Sequence, residues 1–312
     1  MDSATVERFE AGRDRLASLA YRLLGSAADA EDAVQDAFLR WQAADRERIA
    51  VPEAWLTKVV TNLCVDRLRS ARARHERAAG AWLPEPLLEG DPMLGPAETF
   101  EQRESVSLAV LILMERLSPT ERAAYVLREA FSYPHAEIAG ILGITESASQ
   151  QHVHRARRRI TAGRPGGDEA DPASARGIVE EFLAAAMSGR TERLVAMLTA
   201  DATAVSDGYG LAGRLLRYDT PERIATHVRA GFKPTPGKRK LAGGSPAFRI
   251  APVNGSPAVL AVVDDRVVGA VAFEVRDGRI ASLHGIGAAD RLTRLDEGWR
   301  RHGPDTTVVT AW

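Results

Sequence analysis

Residues 146–160, ESASQQHVHRARRRI, gather side chains that can read nucleic acid onto one helix. Gln offers an amide that pairs with adenine, and Arg pairs with guanine or with phosphate. At helical spacing Ser149, Val153, Ala156 and Ile160 share an inward face. Ser147, Gln150, Gln151, His152, His154, Arg155 and Arg158 fall on the outward faces. A shorter helix from His135 precedes it, with Ile138, Ala139, Ile141 and Leu142 as its apolar side. Gly143 supplies a permissive turn residue. Thr145 can cap the second helix, with Glu146 in its first turn. This is a helix-turn-helix layout, with the second helix offered to the major groove. The bland alternative is an αα-hairpin with a solvated basic end.

Two other charged stretches could meet partners. DRLRSARARHER (66–77) carries five Arg against Asp66 and Glu76, a stripe suited to phosphate. DAEDAVQDAFLRW (29–41) presents Asp29, Glu31, Asp32 and Asp36 with Gln35 beside them, and Ala33, Ala37 and Phe38 on the core side. An acidic face does not suit DNA. Taken alone, it faces either a basic protein or water, and water is the simpler reading.

The elements that must position these residues are mostly helical. Apolar residues recur at spacings of three and four through 5–75, with breaks at Gly25-Ser26 and Val51-Pro52, and again through 103–131 and 134–161. GAWLPEPLLEGDPMLGP (80–96) and GRPGGDEADP (163–172) are rich in Pro and Gly and read as linkers. Beyond 173 the texture changes. ARGIVEEFLAAAMSG, TERLVAMLTAD and TPERIATHVRAGF come first, and then the strand-like runs PAFRIAPV, PAVLAVV, RVVGAVAFEV and RIASLHGIG. Asp264-Asp265 and Asp277-Gly278 suit hairpin turns, and the whole indicates an α+β domain.

At 312 residues the chain has room for two or three domains. Its net charge of -1 means that any affinity for nucleic acid comes from local patches. The single cysteine, Cys64, excludes an internal disulfide framework and reads as a buried small hydrophobe. A charged N-terminus without an apolar stretch, and no run of 18 apolar residues, lead to the expectation of a cytoplasmic protein without a membrane span. No spacing suits a metal site, and no cofactor is expected.

YRLLGSAADAEDAVQDAFLRW, PEAWLTKVVTNLCVDRLRS and LSPTERAAYVLREAFSYPHAEIAGILGITESASQQHVHRARRRI, in that order, resemble an extracytoplasmic-function (ECF) bacterial sigma factor. The resemblance covers about the first 160 residues. It implies two all-α sigma domains, a region 2 helical bundle (1–77) and a region 4 helix-turn-helix (105–163), joined by a linker (78–104). It also implies promoter DNA and RNA polymerase core, through its clamp and flap, as partners. On that resemblance Asp29, Glu31, Asp32, Gln35 and Asp36 dock on the clamp helices, which replaces the solvated reading. Trp55, Lys58, Asn62, Asp66, Arg69 and Arg72 fall in the part that melts and reads the −10 element. Ser147, Gln150, Gln151, His152, His154, Arg155 and Arg158 fall on the −35 recognition helix. Gln150 stands where the family commonly has a basic residue.

After a short linker (164–172), the remainder (173–312) resembles the SnoaL-like extension, of the NTF2-like cone fold, that the sigma-J-like subgroup carries. WLPEPL (82–87) is similar to that subgroup's linker motif. It offers Trp82, Leu83 and Leu87 as apolar anchors, with Pro84, Glu85 and Pro86 between them. DGYGLAG (207–213) stands for a DGGGK-type motif, keeping Asp207, Gly208 and Gly210 but with Tyr209 for a glycine and no lysine. AADRLTRL stands for an NPDKL-like segment. The implied role of these residues is regulatory: an extension that grips the linker fixes the spacing between the two DNA-reading domains. The implied cone encloses a pocket for a small-molecule ligand, with Asp207, Tyr209, His227, Phe232, Phe273 and His284 as candidates near it. Two alternatives stay open: a one-component DNA-binding regulator with a ligand sensor, and a SnoaL-like enzyme with a DNA-targeting N-terminal half. No convincing acid–base set supports the second. Asp264, Asp265 and Arg266 are better explained as a turn, and His227 and His284 as structural residues.

Overall fold

The structure is a computed structural model that describes residues 3–73, 83–95, 105–164, 166–211, 214–303 and 310–311. It divides into two compact units, one of residues 1–79 with 90–163 and the other of residues 80–89 with 164–312.

The helical unit begins with α1 (Ser3–Leu24), α2 (Ala27–Ala43) and α3 (Pro52–Ala73). The Ser26 hydroxyl caps α2 by accepting from the Asp29 N–H. Ala30, Ala33, Val34, Ala37 and Trp41 form its buried stripe. Cys64 is fully buried, and that burial pushes its thiol up to about 12, so the inert reading of this cysteine stands. Four further helices follow: α4 (Leu108–Met114), α5 (Pro119–Glu129), α6 (His135–Leu142) and α7 (Glu146–Gly163). The periodicity of 103–131 hides a break at Leu117-Ser118, where Ser118 and Glu121 form a capping box at the start of α5.

Where the sequence suggests separate region 2 and region 4 domains, the helices of both close into this one unit. The seam is polar. The buried Arg22 guanidinium donates to Ser105 Oγ at 3.0 Å and to the Leu94 carbonyl at 2.7 Å. Desolvation lowers that guanidinium to about 10, so it stays charged at neutral pH. Arg15 donates to the Tyr133 hydroxyl at 2.9 Å, and Thr57 Oγ1 lies 3.2 Å from the same oxygen.

The second unit is α+β. Its elements are α8 (Pro172–Met187), α9 (Thr191–Ala196), β1 (Leu198–Ser206), β2 (Leu216–Tyr218), α10 (Pro221–Phe232), α11 (Pro236–Ala242), β3 (Ala247–Val253), β4 (Ser256–Val263), β5 (Arg266–Arg276), β6 (Arg279–Ile286), α12 (Ala289–His302) and β7 (Thr310–Ala311). The sheet order is β2-β1-β6-β5-β4-β3-β7. Among the described residues only β1 and β6 pair in parallel. Hairpins β3–β4, β4–β5 and β5–β6 turn on Asn254-Gly255, Asp264-Asp265 and Asp277-Gly278, all with positive φ, the conformation that two-residue hairpin loops demand. The helices α8 and α10 cover one face around Phe182, Phe232, Phe248 and Phe273. Arg249 alternates with Phe248 and Ile250 and reaches the opposite face, where its guanidinium lies over Trp299 of α12.

Residues 83–88 are buried in this unit rather than free. Leu88 makes an antiparallel bridge with Val253. Asn254 Oδ1 accepts from the Leu87 N–H at 2.8 Å, the Asn254 N–H donates to the Leu87 carbonyl at 2.9 Å, and the Glu89 N–H donates to the Pro252 carbonyl at 3.1 Å. The edge of β3 is thus shared: β7 pairs with Ala247 and Phe248, and the 83–89 strap takes the far end. Leu83 and Leu87 anchor the strap, while Trp82 lies outside the described residues.

Replacing Asn254 with Gly preserves the left-handed φ of 51° and removes the side-chain amide whose Oδ1 accepts from the Leu87 N–H. The expected loss is about 1 kcal/mol in holding the strap. It would be read as faster hydrogen exchange at the Leu87 amide, with the other amides of β3 and β4 unchanged.

Candidate promoter-binding and regulatory surfaces

The recognition helix is built from its buried side outward. Ser149, Val153, Ala156 and Ile160 are buried in α7, as the spacing predicts. Gly143 adopts the left-handed turn, and Thr145 Oγ1 accepts from the Ala148 N–H at 3.1 Å. His135 Nδ1 lies 3.0 Å from Ser149 Oγ and ties α6 to α7. Ser147, Gln150, Gln151, His154, Arg155 and Arg158 are exposed. His152 is half-buried; desolvation and the adjacent Arg155 hold its imidazole below the usual range, so it is neutral at pH 7.

The basic end of α7 is less free than its composition suggests. Arg155 and Arg159 both bind the buried Glu121, at 3.0 and 2.7 Å, and Arg157 binds Glu129 at 2.8 Å. Burial of Glu121 opposes its ionisation. The Ser118 N–H, Arg155, the Ser118 hydroxyl and Arg159 outweigh that and hold its carboxyl at about 2. Glu121 is a residue that the sequence reading missed, although the S-x-x-E spacing of Ser118 to Glu121 carried the signal.

On α3, Trp55, Lys58, Asn62, Asp66 and Arg69 succeed one another at steps of three or four and share a face. Trp55 is half-buried, its ring 5.7 Å from that of Trp41. Asp66 and Arg69 pair at 3.5 Å. The side chain of Arg72 lies outside the described residues.

The acidic segment divides. Glu31, Asp32 and Gln35 are exposed. Asp29 and Asp36 are half-buried: Arg67 donates to Asp36 Oδ2 at 2.7 Å and to the Asp29 carbonyl at 2.9 Å. Leu39 continues the exposed stripe and is 56% exposed, an apolar anchor beside acids that periodicity could not separate from core leucines.

In the second unit Glu85 of the strap is 3.8 Å from Arg291 on α12, within the AADRLTRL segment. The Asp207 carboxylate instead holds the two residues that lead into α12, accepting from the Gly287 and Ala288 N–H groups, and also accepts from that of Tyr209. Asp207, Gly208, Tyr209 and Gly210 therefore form a lip beside α12 and reach the strap through that helix. Asp207, Tyr209, His227 and Phe232 line a cavity of about 360 Å³. Phe273 and His284 do not: Phe273 is in the core, and His284 lies on the other face of β6, where burial keeps its imidazole below the usual range despite Glu274 nearby.

Among the described residues no three His, Cys, Asp or Glu side chains converge as metal ligands, and no helix is long and apolar enough to cross a membrane.

Residues 8–74 match the family Sigma-70 region 2, and residues 107–160 match Sigma-70, region 4. Over 92% of its length the chain is 38% identical to the ECF RNA polymerase sigma factor SigJ of Mycobacterium tuberculosis, covering 93% of that protein. The chain belongs to the ECF RNA polymerase sigma factors. It is also 32% identical, over 88% of its length and 90% of the relative's, to a probable ECF sigma factor, SigI, of the same species. The crystal structure of SigJ matches this one with a TM-score of 0.69 at 33% identity, covering 93% of this chain and 98% of that one. This sigma factor therefore carries both helical sigma regions and an α+β extension that its SigJ relative shares.

Glu121 gives a signed pH dependence. Its carboxyl is depressed in the folded state, so its stabilisation is present above the unfolded carboxylate range, near 4.5, and is lost as pH falls towards about 2. Glu121→Gln should lower unfolding free energy at pH 7 by about 2 kcal/mol and flatten the loss between pH 4.5 and 2. Urea unfolding across that range checks both.

Proposed function

We propose that this sigma factor binds core polymerase through the exposed stripe of α2, reads the −10 element with the outer face of α3, and reads the −35 element with α7. Within α7, Gln150, Gln151, His154 and Arg158 are the base readers. Arg155 serves mainly to fix the helix, because Glu121 holds it. Catalysis belongs to the core enzyme. Promoter DNA meets Lys58 and Arg69 along the same face as Trp55, which suits a stacking and phosphate-binding role.

The observation that carries the regulatory part is the pairing of residues 87–89 with the edge of β3. Part of the chain between the −10 and −35 readers, residues 87–89, is thus bridged to the edge of the C-terminal sheet. Holding it shortens the reach of that connection, and tandem reading by two tethered modules depends on reach. The extension thereby acts on which promoter spacings are engaged.

In transcription with purified core polymerase, Arg158→Ala and Gln150→Ala should each weaken −35-dependent initiation about 5- to 100-fold, the worth of a good base contact. They should leave core binding intact. Leu87→Asp, which puts a charge in the strap's buried anchor, should change the ranking of promoters that differ in −10 to −35 spacing. Equal loss on all promoters would instead indicate misfolding or loss of core binding, and unchanged ranking would remove the regulatory reading.

A further inference from the structure

We infer that the cavity of the C-terminal unit is a binding site for an uncharged, largely apolar small molecule of ring-system size, with Tyr209 as its lip. The inference builds on the reading of this unit as the regulatory part.

The cavity, about 360 Å³, lies between the sheet and α10 and α11 and falls in the range of small-molecule sites. Phe232, Phe248, Val259, Val271, Leu283 and Ile286 make its wall predominantly apolar. Two charged groups line it, and both are spent within the fold. Lys238 gives its ammonium to the carbonyls of Ala230, Gly231 (2.9 Å) and Lys233 (2.9 Å) at the C-terminal end of α10. That matches the three donors an ammonium possesses, and it offsets the negative end of the helix. Asp207 accepts from the N–H groups of Tyr209, Gly287 and Ala288.

The other polar groups are neutral. His227 stacks on Tyr218 with ring centroids 4.3 Å apart. Burial, reinforced by Lys238, keeps its imidazole deprotonated at pH 7. Although Tyr209 is 47% exposed, partial desolvation and then the Asp207 charge raise its phenol above the usual range, so it stays protonated. An anionic ligand would meet no uncommitted cation among these lining groups, and a cationic one would have to draw Asp207 from the end of α12. A neutral ligand meets an apolar wall and a few neutral hydrogen-bonding groups.

The rim supports access. Among the described residues the large exposed hydrophobics are Leu39, Val51, Tyr209, Leu211 and Leu241. Tyr209 and Leu241 line this cavity, and Leu211 follows Tyr209 by two residues. Tyr209 is held at φ 61°, ψ 27°, a left-handed conformation that is unfavourable for a bulky residue. Its ring lies against Gly269 and Gly287. A Cβ on Gly287 would come within 2.5 Å of the Tyr209 ring, so that glycine is what lets the ring lie there. The ring so placed forms part of the cavity mouth.

The test uses the full chain and two probes on one anilinonaphthalene frame: neutral N-phenyl-1-naphthylamine and anionic 8-anilinonaphthalene-1-sulfonate. The expected result is saturable one-to-one fluorescence enhancement by the neutral probe, at least tenfold tighter than by the sulfonate. Ala261→Phe, which fills the cavity, should weaken neutral binding at least tenfold. Leu241→Asp, a rim change at an exposed position, should weaken it several-fold with an unchanged melting temperature. Tyr209→Gly should speed dissociation. Non-saturable binding, equal affinity for the sulfonate, or indifference to both Ala261→Phe and Leu241→Asp overturns the inference. The same preparations are assayed for initiation with core polymerase. Initiation without probe binding overturns the cavity inference alone, and probe binding without initiation overturns the sigma-factor mechanism alone.

Discussion

The extension's hold on the strap rests on one backbone pairing, the antiparallel register of residues 87–89 against Pro252–Asn254 at the end of β3 and its turn. An unpaired edge strand attracts any extended segment, because its N–H and C=O groups need partners. Here β7 covers one end of that edge and the strap covers the other. Pro84 and Pro86 keep the approaching segment extended and remove donors that would otherwise need partners. Asn254 then does two jobs. Its left-handed conformation turns the β3–β4 hairpin, and its side chain accepts the Leu87 amide. The turn that ends the strand is also the clasp that holds the strap.

A similar economy governs the recognition helix. Glu121 caps α5 through Ser118 and binds two arginines of α7, so one buried carboxylate sets the start of one helix and the position of another. A carboxylate so placed is stable only because each oxygen is supplied with donors; leaving one unsupplied would cost more than the pairing contributes. The consequence for DNA reading is subtraction. On the proposed reading, the arginines that Glu121 holds orient the helix, and the base readers are the residues of α7 that no carboxylate holds.

The helices were legible because their apolar spacing is regular and their breaks carry Gly, Pro or capping residues, as at Gly25-Ser26 and Gly143-Ile144-Thr145. The hairpins were legible from Asp264-Asp265 and Asp277-Gly278. The strand β1 was not: TERLVAMLTAD reads on helically, yet the chain changes to strand at Leu198, where tertiary pairing with β6 overrides alanine's helical preference. The short β2 and α11 escaped for want of a full period. The pairing of residues 87–89 with a sheet edge was not legible, since nothing local in a proline-rich segment names its partner strand; the resemblance implied only that the extension grips this linker. The commitment of Lys238, Arg155 and Arg159 was likewise invisible, because a sequence shows charges but not the carbonyls and carboxylates that absorb them.

The lip and the strap meet on a single helix. Asp207 fixes the N-terminal end of α12 through Gly287 and Ala288, and Arg291 one turn on faces Glu85 of the strap. Further along, a Cβ placed on Gly298 would come to ordinary contact distance of the Leu88 side chain. The cavity wall and the strap also share β3, through Phe248 at one end and Pro252–Asn254 at the other. A strand inside a paired sheet has little freedom to take two positions, whereas a helix can shift by an ångström or two on its bed. Of the elements described, α12 is the one that touches both the lip and the strap, and it is the route by which the proposed ligand would act on the strap. A ligand influences the strap only as far as it prefers one position of that helix over another, and Tyr209, two residues from Asp207, is where such a preference would be set.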